Sequence, residues 1–193
     1  MDLELRGKVA LVTAASKGLG RASAMALAAE GAHVAISARS ALVESAAAEI
    51  GAATGAQVLA IRGDVSVAAD VVRMVAATIE RFGQIDILVI NAGGPPPGSF
   101  LSLTIEQWEQ ALQLTLLSAV RLCHAVVPHM LKRASGSIVA IQSASVKQPV
   151  DNLILSNSIR LAVIGLLKSL AFDLGPHGIR VNSLYRPNSV RIA

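Results

Sequence analysis

Short apolar runs rich in Val, Ile and Ala alternate along this chain with longer Ala-rich stretches of helical periodicity, and this alternation limits the folds open to it. Strands that alternate with helices form right-handed strand–helix–strand units, which build a parallel sheet covered by helices on both faces. We therefore predict an α/β fold, a doubly wound parallel sheet in three αβα layers. The predicted strands are Lys8–Ala14, Ala32–Ala38, Gln57–Arg62, Ile85–Ile90, Ser137–Ile141 and Ile179–Leu184. The predicted helices are Gly18–Glu30, Ser40–Ala53, Ser66–Phe82, Thr104–Leu131 and Leu153–Leu174.

Local signals refine three of these boundaries. Ser66 is a suitable N-cap for the third helix, because its hydroxyl can accept a hydrogen bond from a free backbone N–H. The segment Thr104–Gln107 has the form of a capping box, which predicts the start of the fourth helix. The irregular stretch Pro95–Gly98 is predicted as a loop that follows the fourth strand.

The composition suits one domain whose strands are buried on both faces. Of the 193 residues, 53% are apolar, 16% are charged and only 3% are aromatic, so the core must be packed from aliphatic side chains. A chain of this length can fill one hydrophobic core and is short for two. We predict a single domain over residues 1–193.

Charge, cysteine and histidine content exclude several kinds of partner. The net charge is +4, but the basic residues are scattered and aromatic side chains that could stack on bases are scarce, so no nucleic-acid partner is expected. No apolar run reaches the length of a membrane span and Met1–Glu4 lacks the basic start of a signal peptide, so no membrane partner is expected. The single Cys123 fits the reducing cytoplasm, where we predict the protein to reside. His33, His124 and His129 show no metal-ligand spacing with it, so no metal site is predicted.

The loop Thr13–Gly20 joins the first predicted strand to the first helix and is a candidate phosphate-binding loop. Gly18 and Gly20 would let the backbone approach a pyrophosphate, and the helix that starts here offers free N–H groups and a partial positive charge. The alternative is a tight strand–helix connection without a ligand. The position of the loop at the carboxyl end of the first strand favours a dinucleotide.

The end of the second strand predicts which dinucleotide is bound. An acidic side chain there would bind the adenosine ribose and repel a 2′-phosphate, but Ser37-Ala38-Arg39 contains no carboxylate. Arg39 can pair with a phosphate in a fork, and Lys17 adds a second cation in the preceding loop. Both could also be ordinary surface charges. We predict NADP(H) as the cofactor.

These motifs, taken in order, resemble those of the short-chain dehydrogenase/reductase family over essentially the whole chain. Residues 13–20 resemble the family's Thr-Gly-x-x-x-Gly-x-Gly loop, with Ala14 in place of the first glycine. Asp64-Val65 resembles the pair beside the adenine, Asn91-Ala92-Gly93 matches the family's Asn-Ala-Gly motif, and Gly178–Asn182 resembles the start of its sixth strand. The resemblance implies a Rossmann fold with the strand order 3-2-1-4-5-6. It also implies that the following residues contact the cofactor: Thr13, Ser16, Lys17, Gly18, Leu19, Gly20, Arg39, Asp64, Val65, Asn91, Ala92, Gly93 and Arg160.

The resemblance also implies an active site, and here the chain departs from the family. The family transfers a hydride between nicotinamide and a carbonyl or alcohol with an Asn, Ser, Tyr and Lys relay. Alignment of Ile164–Ala171 with the family's corresponding helix places Ser156 at the Tyr position and Arg160 at the Lys position. Ser143 keeps the family's Ser, and Thr115 stands at the Asn position. A serine hydroxyl is a far weaker acid than a phenol, so the standard proton relay is not expected to operate.

Two further residues are candidates for a substitute acid. Lys147 follows Ser143 closely and Tyr185 ends the sixth predicted strand, although a surface lysine and a strand-end aromatic would look the same. After that strand the family usually has Pro-Gly, a substrate-covering loop, another helix and a seventh strand. Here Tyr185-Arg186-Pro187-Asn188 follows, displaced by one residue. The family's C-terminal segment is therefore expected to be either truly absent or missing from this sequence.

The resemblance leads to two main hypotheses on function. The first is an NADP(H)-dependent oxidoreductase that acts on a carbonyl or alcohol of a small-molecule substrate through an altered active site. The second is a catalytically silent protein that binds NADP(H) in a regulatory or structural role. In the family the two long helices pair across a two-fold axis, which implies a homodimer or homotetramer.

Overall fold

Residues 2–186 are described by the structure, a computed structural model, and they form one parallel six-stranded sheet covered by helices. The strand order is β3-β2-β1-β4-β5-β6, which confirms the predicted fold class and order. The strands are β1 Val9–Val12, β2 His33–Ala38, β3 Val58–Arg62, β4 Ile87–Ile90, β5 Gly136–Ser143 and β6 Ile179–Arg186. The helices are α1 Gly18–Ala29, α2 Leu42–Thr54, α3 Ala68–Phe82, α4 Ile105–Leu112, α5 Ser118–Arg133 and α6 Ile154–Leu174.

Alternate side chains of the central strands fill two separate cores. In β1, Ala10 and Val12 face the helices α1 and α2, while Leu11 faces α3, α5 and α6. All three residues are fully buried. Small side chains such as Ala24 and Ala28 on α1 allow close approach to the sheet, which explains why so few aromatic residues are needed.

Three local features differ from the sequence-based expectation or refine it. The capping box at Thr104 is confirmed, with reciprocal hydrogen bonds to Gln107. Ser66 is not the N-cap of α3, and this prediction was wrong. Its N–H and hydroxyl both donate to the Asp64 carboxylate at 2.8 and 2.7 Å, so Val67 occupies the cap position instead. The long fourth helix is interrupted by a π-helical turn, Gln113–Leu117, between α4 and α5.

Two helical segments, Ile105–Arg133 and Ile154–His177, are long and apolar enough to cross a membrane by length and composition alone. The expectation that no segment has this character was therefore wrong. Both segments pack against the sheet through buried side chains, as Leu122 and Val163 illustrate. They are core helices in this fold.

The carboxylate of Asp86 ties three elements together at the amino end of the sheet. It accepts hydrogen bonds from the N–H of Val9 at 2.8 Å, from the Gln84 amide at 2.8 Å and from the Arg133 guanidinium at 2.6 Å. Only 6% of Asp86 is exposed. These bonds fix the relative positions of β1, the start of β4 and the end of α5. They therefore help to place the opposite, carboxyl edge of the sheet.

We predict that Asp86→Ala destabilises the protein by about 3–5 kcal/mol, because it leaves the partly buried Arg133 without a counter-charge and a buried N–H without an acceptor. Urea unfolding followed by circular dichroism measures the change in the free energy of unfolding. Asp173→Ala, at an exposed position on α6, is the matched control and should cost less than about 0.5 kcal/mol. Equal loss in both variants would contradict the role given to Asp86.

Candidate functional site

The loop after β1 is shaped by backbone conformations that favour glycine. Gly18 has a φ of 60° and begins α1, as predicted. At Gly20 a Cβ atom would lie 2.5 Å from the Ala14 carbonyl oxygen and 2.8 Å from the Asn91 amide nitrogen, so no side chain fits there. Ala14 itself has a φ of 48°, a left-handed conformation that glycine adopts without strain. The loop therefore keeps the shape of a glycine-rich turn although its first glycine is replaced.

Hydrogen bonds join this loop to the end of β4. The Thr13 hydroxyl donates to the Asn91 carbonyl at 2.7 Å and accepts from the Asn91 N–H at 3.0 Å. The Asn91 side-chain amide donates to the Ala14 carbonyl at 3.1 Å. Thr13 is fully buried, so it supports the loop from behind. Thr13 and Asn91 together hold the two loops at the carboxyl ends of β1 and β4.

The N-terminus of α1 is available to bind an anion. Its N-cap residue, Lys17, has extended backbone geometry, and within residues 2–186 no side chain accepts a hydrogen bond from the first turn. The first N–H groups of a helix have no intrahelical partner and carry a partial positive charge. Leu19 lies in this first turn and is partly exposed. The arrangement fits a pyrophosphate above Gly18–Gly20.

A cavity of about 420 Å³ opens beside this loop at the carboxyl edge of the sheet. Ser16, Lys17, Arg39, Asp64 and Val65 line it, as do Asn91, Ala92 and Gly93, all of which were predicted to contact a cofactor. The sequence-based prediction missed five other lining residues, namely Ala14, Ala38, Ser40, Gly63 and Leu114. The first four lie at the ends of β1, β2 and β3 or within two residues after them, so strand ends alone could have indicated them. Leu114 comes from the π-helical turn and carried no sequence signal.

The part of the cavity beside β2 contains opposite charges. Arg39 is 72% exposed in its side chain, and its Nη1 lies 3.7 Å from the Asp64 carboxylate, a long and weak ion pair. Asp64 is itself held by Ser66 and by Asp70, whose carboxylate accepts the Asp64 N–H at 2.8 Å. That bond and then the Arg73 guanidinium lower the pKa of Asp70, which therefore stays ionised as an anchor for the loop. Arg39 remains available to a ligand.

The residues predicted to stand at the family's Ser, Tyr and Lys positions are joined in one hydrogen-bonded cluster. The Ser143 hydroxyl accepts the Ser145 N–H at 3.1 Å, and the Ser145 hydroxyl lies 3.2 Å from that of Ser156. Arg160 donates through Nε to Ser156 at 3.2 Å and through Nη1 to the Gln142 side-chain oxygen at 3.4 Å. Ser145 and Gln142, both buried, were missed at the sequence level because neither position carried a motif. This cluster does not line the cofactor cavity. It lies at the carboxyl end of β5, the strand next to β4, and on the facing side of α6.

Thr115 lies in the π-helical turn that packs against α6. Only 5% of the residue is exposed, and its hydroxyl has no hydrogen-bond partner among residues 2–186. Buried hydroxyls are normally paired, and π-helical turns are frequent at functional sites. The structure shows no hydrogen bond between Thr115 and the Ser143–Arg160 cluster.

Other nucleophiles and acids near the site are less suitable. The Lys147 ammonium lies 4.9 Å from the centre of the Tyr185 ring, so the two candidate substitute acids contact each other. However, the Tyr185 hydroxyl accepts a hydrogen bond from Ser183, two residues back along β6, and so turns away from the carboxyl end of the strand. Cys123 is buried, and burial raises the pKa of its thiol to about 12, which leaves it unreactive. Pro187 and Asn188, which replace the family's Pro-Gly, lie outside the described residues.

Comparison with known proteins agrees with this geometry. The sequence pattern described as short chain dehydrogenase matches residues 8–189. The chain is 40% identical over 182 residues to human dehydrogenase/reductase SDR family member 4, covering 93% of this chain and 65% of that protein. It is 34% identical to a 3-oxoacyl-[acyl-carrier-protein] reductase of Synechocystis, covering 93% and 73%. The chain thus spans about two thirds of the length of such relatives.

Solved structures show the same fold. The L-sorbose reductase of Gluconobacter frateurii, in complex with NADPH and L-sorbose, superimposes with a TM-score of 0.92 at 34% identity, over 95% of this chain and 70% of that one. A 7α-hydroxysteroid dehydrogenase in complex with NADH has a TM-score of 0.89 at 33% identity, over 94% and 71%. The shared fold, the order of the motifs and the extent of the similarity show that this chain belongs to the short-chain dehydrogenase/reductase family.

Proposed function

We propose that the protein is an NADP(H)-dependent oxidoreductase that transfers a hydride between nicotinamide and a carbonyl or alcohol of a small molecule, through an altered active site. The observation that carries the proposal is the 420 Å³ cavity, which joins the open N-terminus of α1 to Arg39 and to the Asn91 loop. This is the edge of the sheet where ligands of doubly wound folds bind. The family membership supports an oxidoreductase in general, and the choice of cofactor and substrate is our proposal.

The preference for NADP(H) rests on the charges at the end of β2. Ala38, the last residue of β2, lines the cavity where a ribose-binding carboxylate would otherwise stand. Arg39 and Lys17 line the same cavity, and the Arg39 backbone is held by a hydrogen bond of 3.2 Å from Arg62 to its carbonyl. Similar structures contain NADPH, NADH or NAD⁺, so the family alone does not choose between them.

The altered active site supports slow rather than efficient proton transfer. Bound NADP(H) would supply the hydride or accept it. We assign Ser143 to orient a carbonyl, whereas the buried Ser156 hydroxyl is a weak acid already engaged with Ser145 and Arg160. General acid–base catalysis is typically worth about 10²- to 10⁴-fold, so an oriented reaction can proceed without it at reduced rate.

We predict that the protein binds NADP(H) more tightly than NAD(H), and that Arg39→Ala weakens NADP(H) selectively by about 1.5–3 kcal/mol, as for loss of a charge-assisted hydrogen bond. Calorimetric titration of the four cofactor forms measures this difference. Arg81→Ala, on α3 and bonded to Gln57 away from the cavity, is the control for net charge and should leave both affinities unchanged. Equal losses for both cofactors in Arg39→Ala, or an initial preference for NAD(H), would count against the proposal.

We predict that the unmodified protein binds cofactor but reduces simple ketones slowly, and that the double variant Ser156→Tyr/Arg160→Lys is at least tenfold faster. A phenol with a neighbouring ammonium is a tunable proton donor, and either change alone should do little because the two groups act as a unit. Steady-state oxidation of NADPH with a ketone panel provides the measurement.

The matched control for that experiment is Ser158→Tyr/Arg160→Lys, which adds the phenol at an exposed position of the same helix and should give no gain. Thermal unfolding checks that the buried position 156 accepts the ring. Rapid ketone reduction by the unmodified protein, unaffected by Ser156→Ala and Ser143→Ala, would show that the roles assigned to these residues are wrong. Tight cofactor binding without turnover in any variant would support the silent, cofactor-binding alternative.

We also propose a homodimer or homotetramer formed through the outer faces of α4–α6. Phe172 is 84% and Leu161 52% exposed on α6, and since they lie three helical turns apart they share one side of the helix. A separate apolar groove of about 830 Å³ runs between α3 and α5 and shares no lining residue with the cofactor cavity. Exposed apolar patches of this kind mark protein–protein contacts.

We predict that Phe172→Lys shifts the assembly towards monomer, because it places a charge in the centre of the proposed contact. Sedimentation velocity at micromolar concentration measures the mass in solution. Leu42→Lys, at an exposed position of α2 on the opposite side of the sheet, should leave the assembly intact. A monomeric unmodified protein would contradict the proposal.

A further inference from the structure

The guanidinium of Arg160 is a partly buried cation that no carboxylate neutralises. All 13 Asp and Glu residues of the chain lie among residues 2–186, and none has an oxygen within 4.0 Å of it. The arginines that do form ion pairs in this part of the chain are Arg21, Arg39, Arg73 and Arg133. Burial lowers the pKa of Arg160, which shows that removal from water disfavours its charge. A partly buried charge without a counter-charge is energetically unfavourable, so this site favours the binding of an anion.

One edge of the Arg160 guanidinium is open. Nε is engaged with Ser156, whereas Nη1 makes only a long contact of 3.4 Å with Gln142. Nη2 has no hydrogen-bond partner among residues 2–186, and it is not one of the fully enclosed polar atoms of that region. The Nη1–Nη2 edge therefore reaches solvent and can receive two parallel hydrogen bonds from a planar anion.

A second, independent observation points to a ligand beside α6. The Thr115 hydroxyl is buried without a partner, on the π-helical turn that packs against this helix. The next residue back, Leu114, lines the cofactor cavity, so the turn lies between that cavity and α6. Ser143 adds a further group: its oxygen accepts the Ser145 N–H, and its own hydrogen is given to no other group among residues 2–186.

We infer that Arg160 binds the carboxylate of a substrate whose acid group is adjacent to the reducible carbonyl, that is, a 2-oxo acid and its 2-hydroxy acid product. A carboxylate matches the guanidinium fork, and Ser143 can donate to the neighbouring carbonyl oxygen. In the reaction the carbonyl carbon would gain a hydride from the reduced nicotinamide, and the oxygen would gain a proton from water. The products are a 2-hydroxy acid and the oxidised cofactor.

A carboxylate fits better than a phosphate because Arg160 is the one cation hydrogen-bonded within the cluster, among the side chains described for residues 2–185. The Lys147 ammonium lies over the Tyr185 ring instead. Phosphate groups carry up to two charges and usually meet several donors, whereas one guanidinium balances one monoanion. The inference rests on the proposed function for its reaction but not for its binding step.

The binding step can be tested with oxamate, an unreactive mimic of a 2-oxo acid. Calorimetric titration of the 193-residue chain should show oxamate binding at least tenfold more tightly than its neutral methyl ester or inorganic phosphate. Arg160→Gln should weaken oxamate by about 10- to 100-fold, the expected loss for a charge-assisted hydrogen bond. Arg160→Lys should retain part of the affinity, because it keeps the charge and loses the fork. Arg180→Gln, at an exposed position near the start of β6, removes the same charge elsewhere and should bind oxamate normally.

Equal oxamate affinity in the unmodified protein and Arg160→Gln would overturn the inference, as would tighter binding of phosphate than of oxamate. Thermal unfolding of each variant guards against loss of the fold, and Arg160→Lys provides the comparison if Arg160→Gln does not fold. A parallel titration with NADPH separates the two proposals. Binding of NADPH without binding of oxamate would contradict only this inference. Binding of oxamate through Arg160 without binding of NADPH would contradict the proposed function instead.

Discussion

The whole site depends on the reversal of strand order between β1 and β4. From β1 the chain moves outward through α1 to β2 on one side, while β4 leads through α4 and α5 to β5 on the other, so their two loops part and leave a crevice. Thr13 and Asn91 bridge this point with hydrogen bonds that run in both directions. At the opposite edge Asp86 fixes the same two strands to each other. The two strands that border the crevice are therefore joined by hydrogen bonds at both of their ends.

The two ends of the proposed ligand path differ in their electrostatics. At the phosphate end, Lys17, Arg39 and the start of α1 offer positive charge that is largely exposed and weakly paired. Such charge attracts an anion without having lost much solvation beforehand. At the proposed reaction end the charge of Arg160 is partly buried and the hydroxyls of Ser145 and Ser156 are enclosed. In our interpretation the weakly acidic Ser156 stands where the family has a phenol, and Arg160 beside it is a fixed charge, so this end suits binding better than proton transfer.

The periodicity of the sequence was sufficient to predict all six strands, because burial on both faces demands continuous apolar runs. Their order was predicted from the family resemblance, and the start of α1 at Gly18 from the glycine-rich loop. Boundaries were less predictable. Ser66 donates both its N–H and its hydroxyl to Asp64, and the N-cap of α3 is Val67 instead. The sequence alone does not show whether Ser66 bonds to Asp64 or caps the helix. The π-helical turn at Gln113–Leu117 was missed as well, because Leu112, Leu116 and Ala119 keep the spacing of a regular α-helix across it.

The sequence by itself determined the parts of the site that strand ends carry. Motif residues such as Arg39 and Asn91 follow strands directly, and parallel strands bring their carboxyl ends to one edge whatever the packing. Only the tertiary structure decided what surrounds Arg160. Its contacts with Ser156 and Gln142 depend on how α6 packs over the end of β5. The absence of a carboxylate beside it, among the described residues, is a property of distances in space. Spacing along a chain fixes which face a residue takes on its own helix, but burial and the neutralisation of charge depend on residues from other elements.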